Sequence, residues 1–221
     1  MLENSNNAIA VLDSGIGGIS VLRQLMKHGG NYIYVADNAH MPYGSKTADE
    51  LTNRLDTLIT MIRDRYRVSQ IVVACNTASS VIGGKYDNVI TMRFNPQYTY
   101  LTTKLTRDRL GGDNIIADNN LATLIERYIH DRAALDKIVR EHVKKYRLNK
   151  LDCLVLGCTH YELVKDIFMK YCPNTQVYNN SEFILSDIDN EGDSSDTNVY
   201  FITTRNSKEY SDRLVELALG V

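Results

Sequence analysis

Short apolar runs alternate along this sequence with longer segments whose apolar residues recur at helical spacing. Ala8 to Leu12, Tyr32 to Val35 and Gln70 to Ala74 are predicted to be buried strands. Leu154 to Leu156 and Val199 to Thr203 repeat this pattern in the later half of the chain. Because strands that alternate with helices usually build parallel sheets, the sequence predicts an α/β fold with mainly parallel sheets.

The helical segments carry recognisable start signals. Thr47 and Glu50 form a predicted capping box, in which each side chain satisfies a free backbone N–H, and an apolar stripe from Leu51 to Tyr66 follows. Other segments with an apolar face at helical spacing are Ile19 to Met26, Leu121 to Tyr128, Leu135 to Tyr146, Thr159 to Phe168 and Ser207 to Leu219. Each of them is predicted to be one helix.

The middle of the chain predicts a change of domain. Val89 to Met92 and Tyr98 to Thr102 have the composition of strands, but no helix of useful length separates them. A parallel crossover needs about a dozen residues or more, so these strands pair differently or belong to different domains. We place the boundary near Asn95–Pro96. The predicted first domain comprises residues 1–95 and 206–221, and the second comprises residues 96–205.

Composition argues against several classes of protein. The 221 residues carry 25 Lys and Arg against 27 Asp and Glu, which gives no electrostatic reason to expect nucleic acid or an anionic membrane as a partner. No apolar run approaches the roughly 18 residues that span a bilayer. The first residues lack the basic and apolar regions of a secretion signal, so a cytoplasmic location is expected. The acidic stretch Ser186 to Asn198 is most simply a solvated loop.

The four cysteines are predicted to be reduced thiols rather than a disulfide framework. No CxxC pair occurs, so no metal site is predicted. Two of the cysteines stand in matching surroundings: Cys75 and Cys158 each follow a β-branched or Leu-rich strand and a small residue, and a Thr that opens a helix comes shortly after. In open α/β sheets ligands bind at the carboxyl ends of strands, and a helix N-terminus favours a thiolate and a bound carboxylate.

Two thiols at equivalent places in two half-structures can face one bound molecule from opposite sides. One thiolate then removes a proton from a stereocentre while the other thiol delivers a proton to the opposite face. A thiol, with an ordinary pKa of about 8.5, suits this task better at neutral pH than a carboxylate does. The alternative interpretation is that both cysteines are packed and inert, because free cysteine is commonly buried.

The segments around these cysteines resemble those of a known family. Asp13 to Gly18, Pro42 to Gly44, Ala74 to Ser79 and Gly157 to Tyr161 are similar, in the same order, to the signature segments of glutamate racemases, and the similarity runs from Ile9 to about Leu219. The resemblance implies two pseudosymmetric α/β domains with the active site in the cleft between them. It also implies a cofactor-independent interconversion of L- and D-glutamate that supplies peptidoglycan synthesis, and a homodimer.

The same resemblance implies roles for individual residues. Cys75 and Cys158 are expected to be the two catalytic acid/bases, with Asp13 and His160 as auxiliary groups beside them and Glu126 as a partner of His160. The positions expected to hold the substrate are Ser14, Pro42, Tyr43, Gly44, Asn76, Thr77, Thr106 and Thr159. No cofactor is expected, and the expected partner is the small molecule glutamate.

The sequence departs from the family pattern in places. Asp118-Asn119 replaces a usual Cys-Pro, and Thr102 replaces a glycine. The chain is also shorter between Phe94 and Tyr98 and after Thr106, so a shortened second domain is expected. Because catalysis depends on placing reacting atoms closely, this loss allows slow turnover or another substrate.

Several alternatives stay open at this stage. Asp13 is a common type of helix cap, His160 is suited to bonding backbone at a helix start, and Glu126 is equally suited to an exposed helix face. The glycines from Gly15 to Gly18 do not have the dinucleotide spacing and are interpreted as room for a small substrate. The competing functions are racemisation of another acidic amino acid such as aspartate, and a non-catalytic binding or regulatory protein.

Overall fold

The computed structural model describes residues 8–118, 120–189 and 196–220. The strands in these ranges are β1 (Ala8–Asp13), β2 (Gly30–Ala36), β3 (Val68–Val73), β4 (Val89–Thr91), β5 (Tyr100–Thr102), β6 (Ile115–Ala117), β7 (Cys153–Gly157), β8 (Gln176–Asn179) and β9 (Thr197–Thr203). The helices are α1 (Ile19–Leu25), α2 (Ala48–Arg65), α3 (Asn76–Ile82), α4 (Lys104–Leu110), α5 (Leu121–Tyr128), α6 (Arg132–Tyr146), α7 (Thr159–Glu162), α8 (Lys165–Tyr171) and α9 (Lys208–Leu219). Residues 1–7 and part of the predicted acidic loop, residues 190–195, lie outside the described residues.

The first sheet has the strand order β4-β3-β1-β2-β9, and every described pairing in it is parallel. All residues of the central strand β1 are buried, because helices cover both faces of the sheet. Ile9 and Val11 pack on one face with residues of α1 and α9. Ala10 and Leu12 point to the opposite face and pack with residues of α2 and α3, as the two-residue period of a strand requires.

The second sheet has the order β6-β5-β7-β8, again with parallel pairings throughout the described strands. Leu154 and Leu156 of β7 pack in a core with Val139 of α6 and Phe168 of α8. We call the first sheet with its helices the first half and the second sheet with its helices the second half. The predicted α/β fold with mainly parallel sheets is confirmed.

The two halves share one strand order. In the first half β2-β1-β3-β4 lie side by side, and in the second half β6-β5-β7-β8 occupy the same relative places. Cys75 follows β3 and Cys158 follows β7, so the two thiols lie at equivalent strand ends. The pseudosymmetry is therefore visible in the connectivity of the sheets, with β9 as an additional strand beside β2.

The structure corrects three details of the sequence-based assignment. Thr197–Thr203, which we placed in the second domain, pairs along its length with β2 and belongs to the first sheet. The helix predicted from Thr159 to Phe168 is interrupted at Leu163–Val164, where Val164 leaves helical geometry, and it forms α7 and α8. Strands β6 and β8 were not predicted, because they are short and none of their neighbouring residues alternates clearly.

Local signals explain where several helices begin. The capping box before α2 is confirmed: Thr47 Oγ1 accepts from the Glu50 N–H at 3.2 Å, and Glu50 Oε2 accepts from the Thr47 N–H at 2.9 Å. Thr103 caps α4 in a similar way through the Thr106 N–H.

β4 and β5 lie in different sheets, as the short connection between them predicts. Within the described ranges, no helix combines the length and the apolar character needed to cross a membrane.

Candidate active site

A cleft of about 560 Å³ lies where the carboxyl ends of the two sheets face each other. Both Cys75 and Cys158 line it. The other lining residues that the sequence singled out are Ser14, Pro42, Tyr43, Gly44, Thr77, Thr159 and His160. A cleft of this volume is suited to a small molecule, and it brings the two matching thiols to one site.

Cys75 is the residue immediately before α3 and has 5% of its surface exposed. Its Sγ lies 3.9 Å from the Ser14 hydroxyl. Burial raises the pKa of the Cys75 thiol, and the nearby Asp13 carboxyl group adds to the increase. Cys75 therefore favours the protonated state.

Cys158 occupies the equivalent place before α7, and its surroundings differ in charge. His160 Nδ1 lies 4.0 Å from Cys158 Sγ, and His160 Nε2 lies 2.5 Å from Glu126 Oε2. Burial by itself would lower the pKa of His160, but the contacts with Cys158 and Glu126 outweigh it and raise this pKa well above the ordinary value. His160 is thus held as a cation beside Cys158.

Glu126 is buried at this site and is not part of an exposed helix face. Its Oε2 also faces the backbone N–H of Ile16 at 3.4 Å, and its Oε1 accepts a hydrogen bond from the Tyr210 hydroxyl at 2.8 Å. Burial would raise the pKa of Glu126, but the hydrogen bond and the charge of His160 lower it below the ordinary value. The pair is therefore a carboxylate and an imidazolium ion.

Asp13 lies behind the cleft wall and is fully buried. Its Oδ1 accepts from the Gly15 N–H at 2.8 Å, and its Oδ2 accepts from the Thr159 hydroxyl of the other half at 3.0 Å. Asp13 does not cap α1, because the residue before that helix is Gly18 and no side chain caps it. Burial raises the pKa of Asp13, and the positive charge of His160 opposes this increase without cancelling it.

The glycines of the first turn make room for other protein atoms, including those of the second half, rather than for a substrate, contrary to our interpretation of the sequence. A Cβ atom at Gly17 would lie 2.4 Å from Thr159 Oγ1 and 2.8 Å from the His160 backbone nitrogen. A Cβ atom at Gly15 would lie 2.8 Å from Met41 Sδ and 3.0 Å from Glu126 Oε2. These positions need glycine because protein atoms approach the backbone closely.

A cluster of threonine hydroxyls joins the two halves at the other end of the cleft. Thr77 Oγ1 lies 2.9 Å from Thr103 Oγ1, which lies 2.9 Å from Thr106 Oγ1. Thr106 is fully buried and forms the back of this cluster, whereas Thr77 and Thr103 line the cleft. Gly44 packs directly against Thr103, at a distance of 3.0 Å from the place of its missing Cβ to Thr103 Cβ.

The turn Tyr43–Ser45 is held in place by a buried carboxylate. The Tyr43 hydroxyl donates to Asp37 Oδ2 at 2.7 Å, and Arg54 donates to both oxygens of Asp37 at 2.6 and 2.9 Å. Burial would raise the pKa of Asp37, but the hydrogen bonds from Arg54 and Tyr43 lower it. Tyr43 therefore lines the cleft while its hydroxyl is hydrogen-bonded to the buried Asp37.

Asn76 sits next to Cys75 but does not line the cleft. Its Oδ1 accepts from Asn180 Nδ2 of the other half at 2.5 Å. Its own buried Nδ2 has no hydrogen-bond partner among the described residues. Its expected contact with a substrate stays a prediction, as do the substrate contacts expected of Thr106.

Sequence reasoning missed much of the cleft wall. The residues that line it without having been singled out for it are Met41, Ser45, Lys46, Thr103, Lys104, Leu105, Asp108, Asn120, Ala122 and Thr123. Met41, Ser45 and Leu105 each adjoin a predicted position, so for these three the neighbouring motif was the available signal. Tyr210 has no such signal, since it reaches Glu126 from the last helix. In the described part of the chain, acidic, His and Cys side chains form no group of three suited to a metal ion.

A scan against models of known protein families finds no match. A glutamate racemase from Clostridium acetobutylicum is 30% identical to this chain over 190 residues, covering 72% of this chain and 74% of the relative. This chain belongs to the glutamate racemase family. Members of that family are isomerases, and so is this protein.

Other members of the glutamate racemase family extend the comparison. The crystal structure of the enzyme from Thermus thermophilus in complex with beta-chloro-D-alanine has the same fold, with a TM-score of 0.77, 23% identity, and coverage of 99% of this chain and 95% of that one. A glutamate racemase from Leptospira interrogans is 25% identical over 251 positions, covering 96% of this chain and 97% of the relative. Since this chain has only 221 residues, the alignment includes positions that this chain lacks, and the chain is shorter than that relative.

Proposed function

We propose that this protein interconverts L- and D-glutamate by proton transfer at Cα between Cys75 and Cys158, without a cofactor. The observation that carries the proposal is the placement of the two thiols at equivalent strand ends on one cleft, in a member of the glutamate racemase family. The D-glutamate formed in this way supplies peptidoglycan synthesis.

The charged neighbours of the two thiols support one direction of proton transfer. Cys158, which faces the cation His160, acts as the base, and Cys75, whose proton burial retains, acts as the acid. The Cys158 thiolate takes the Cα proton of one enantiomer, and the C–H electron pair stays on Cα as a carbanion conjugated with the α-carboxylate. The Cys75 S–H bond then breaks and its proton goes to the opposite face of Cα. The cycle ends with a thiol at Cys158 and a thiolate at Cys75.

The opposite enantiomer starts from the opposite protonation state. Asp13 lies beside Cys75, and its raised pKa makes it easier to protonate when Cys75 is the thiolate, because a neutral carboxyl group does not repel that thiolate. The substrate ammonium group adds a positive charge near both sulfurs. The two bases are thus tuned by different neighbours, a carboxyl group for Cys75 and a His–Glu pair for Cys158.

The remaining cleft residues are suited to an amino acid with two carboxylates. The hydroxyls of Thr77 and Thr103 and the first backbone N–H groups of α3 are donors for one carboxylate. Lys46 and Lys104, from opposite halves, supply positive charge on the cleft wall for the other. We also propose that the protein is cytoplasmic and that it forms a homodimer. Sedimentation velocity at micromolar concentration tests the homodimer directly.

The test is deuterium wash-in at Cα in D2O, followed by ¹H NMR for L- and D-glutamate separately, under reducing conditions. We expect exchange and inversion from both enantiomers. Each of Cys75→Ser and Cys158→Ser should lose at least about a hundredfold in rate, because a hydroxyl is a far weaker base than a thiolate. Cys153→Ser is the matched control, since Cys153 lies on β7 away from the cleft lining.

The outcomes separate the competing functions. No wash-in from either enantiomer at high enzyme concentration would establish the non-catalytic alternative. A clear preference for aspartate in the same assay would replace glutamate as the substrate. Near-normal inversion by either of the two serine variants would show that the thiol-to-thiol mechanism is wrong.

A further inference from the structure

Tyr210 belongs to the first half of the protein but contacts Glu126, which belongs to the second half. It lies on α9, which packs against α1 and β9 of the first half, and it is partly buried. Its hydroxyl donates to Glu126 Oε1 at 2.8 Å, across the interface between the halves. The last helix of the described chain therefore touches the group that holds His160, although nothing in the local sequence around Tyr210 resembles a catalytic motif.

We propose that Tyr210 is a positioning residue for the proposed racemisation, fixing the Glu126 carboxylate so that it orients and charges His160 beside Cys158. The inference rests on the proposed function for its catalytic meaning. The effect of Tyr210 on the protonation of His160, transmitted by Glu126, can be measured whether or not the protein turns over a substrate.

The hydrogen-bonding of Glu126 gives the physical reason. His160 and the Ile16 N–H approach Oε2, whereas the hydroxyl of Tyr210 is bonded to Oε1. A buried carboxylate stays ionised only while its oxygens have donors, so the loss of the Tyr210 hydroxyl makes the anion less stable. A less stable carboxylate holds the proton on His160 less firmly, and the thiolate of Cys158 loses part of its counter-charge.

Tyr210 is suited to remain a donor at any pH of interest. Burial raises its pKa, and the adjacent charge of Glu126 raises it further, so the hydroxyl keeps its proton. The hydroxyl also lies close to the Gly15 backbone, since a Cβ atom added there would be 3.1 Å from the hydroxyl oxygen. Because residue 15 is glycine, the side chains of Met41, Glu126 and Tyr210 can all pack against the turn that follows β1.

The titratable groups that face His160 and Glu126 come from several elements. Cys158 precedes α7, Glu126 is on α5, Asp13 ends β1, Tyr34 is on β2 and Tyr210 is on α9. The Asp13 carboxyl group interacts with His160 and the Tyr34 hydroxyl with Glu126, and both groups also lie near Tyr210. A Glu126→Ala background therefore separates an effect of Tyr210 that passes through Glu126 from one that passes through these groups.

The experiment compares Tyr210→Phe with the unaltered protein, using ¹³C-labelled histidine and NMR titration of His160, assigned by the signal missing from His160→Asn. We expect a lower titration midpoint for His160 and a fall in kcat of about tenfold, the cost of a lost hydrogen bond to a charged group. Tyr200→Phe is the matched control, because Tyr200 is 43% exposed on β9. An unchanged His160 midpoint in Tyr210→Phe would overturn the proposal.

A second comparison separates positioning from a loss of folding. In a Glu126→Ala background, Tyr210→Phe should leave kcat unchanged, because the hydroxyl then has no carboxylate to act on. An equal fall in kcat in both backgrounds would show that Tyr210 acts on the fold alone. If the protein proves to have no racemase activity, the NMR midpoint still supports or rejects the link from Tyr210 to His160.

Discussion

Glu162 is a buried carboxyl group at the interface between the two halves, and it allows a quantitative prediction about stability. It lies on α7, next to the turn that carries Cys158 and His160. Its Oε2 accepts from the Ser20 hydroxyl of α1 at 2.8 Å, and its two oxygens accept from the N–H and the hydroxyl of Ser181 at 3.0 and 2.6 Å. These donors are all neutral, so burial prevails and raises the pKa of Glu162 from 4.5 to about 7.

The sign of the effect follows from the two pKa values. Between pH 4.5 and 7 Glu162 loses its proton in the unfolded chain but keeps it in the folded protein. Its contribution to the free energy of unfolding is therefore complete at low pH and is lost as the pH rises through about 7. Because one pKa unit corresponds to about 1.4 kcal/mol, the loss amounts to about 3 kcal/mol.

Replacing Glu162 with glutamine removes the ionisation and keeps the shape. A glutamine oxygen accepts from the Ser181 N–H, and the glutamine NH2 group donates to the two serine hydroxyls, which rotate to accept. The difference in unfolding free energy between Glu162→Gln and the unaltered protein should grow in favour of the variant by about 3 kcal/mol as the pH rises from acidic values to 8.

The assay is urea unfolding followed by far-UV circular dichroism at pH values from 5 to 8. Taking the difference between variant and parent at each pH cancels the contributions of all other groups. Glu141→Gln is the matched control, because Glu141 is an exposed carboxylate on α6 that takes no part in the contacts of Glu162, and its difference should stay flat. A flat difference for Glu162→Gln as well would refute the reasoning that burial dominates at this site.

Three further substitutions test other contacts. Gly17→Ala places a methyl group 2.4 Å from Thr159 Oγ1 and should lower both kcat and the urea midpoint, with a loss of about 1–3 kcal/mol. Arg54→Met removes the arginine that donates to both oxygens of the fully buried Asp37, with His40 and Tyr43 remaining as side-chain partners, and should cost about 3 kcal/mol, which chemical denaturation at pH 7 measures. Asp118→Ala removes the acceptor of the Leu121 N–H at the start of α5 and should cost about 2 kcal/mol at pH 7. The loss should shrink below pH 4, because hydrogen bonds from His142 and Tyr146 outweigh burial and lower the pKa of Asp118, and stability of that kind disappears on acidification.

The parts of the fold that local sequence determines were predictable. The apolar strand β1 and the capping box at Thr47 are coded within a few neighbouring residues, and both occur as expected. The sheet to which Thr197–Thr203 belongs is decided instead by distant partners in β2, so sequence adjacency to the second half was misleading. The strand β6 has three half-buried residues and gives too short a pattern to detect.

The residues of the candidate site also divide into those that local sequence predicts and those that depend on distant contacts. Cys75 and Cys158 were predictable because the duplicated strand–cysteine pattern places them at strand ends, where parallel sheets present their ligands. The positions of Lys104 and Asp108 on the cleft wall depend on how α4 faces the turn at Tyr43–Ser45. Tyr210 depends on the return of α9 to the first half, which no local pattern reports.

The return of the chain to its first sheet sets an order of events during synthesis. β2 forms early, yet the strand beside it, β9, and the helix that carries Tyr210 emerge only after the whole second half has been made. Until then the N-terminal sheet has an unpaired edge along Gly30–Ala36, a surface open to mispairing with other nascent chains. β9 and α9 leave the ribosome after the second half, and their docking both closes that edge and completes the surroundings of His160.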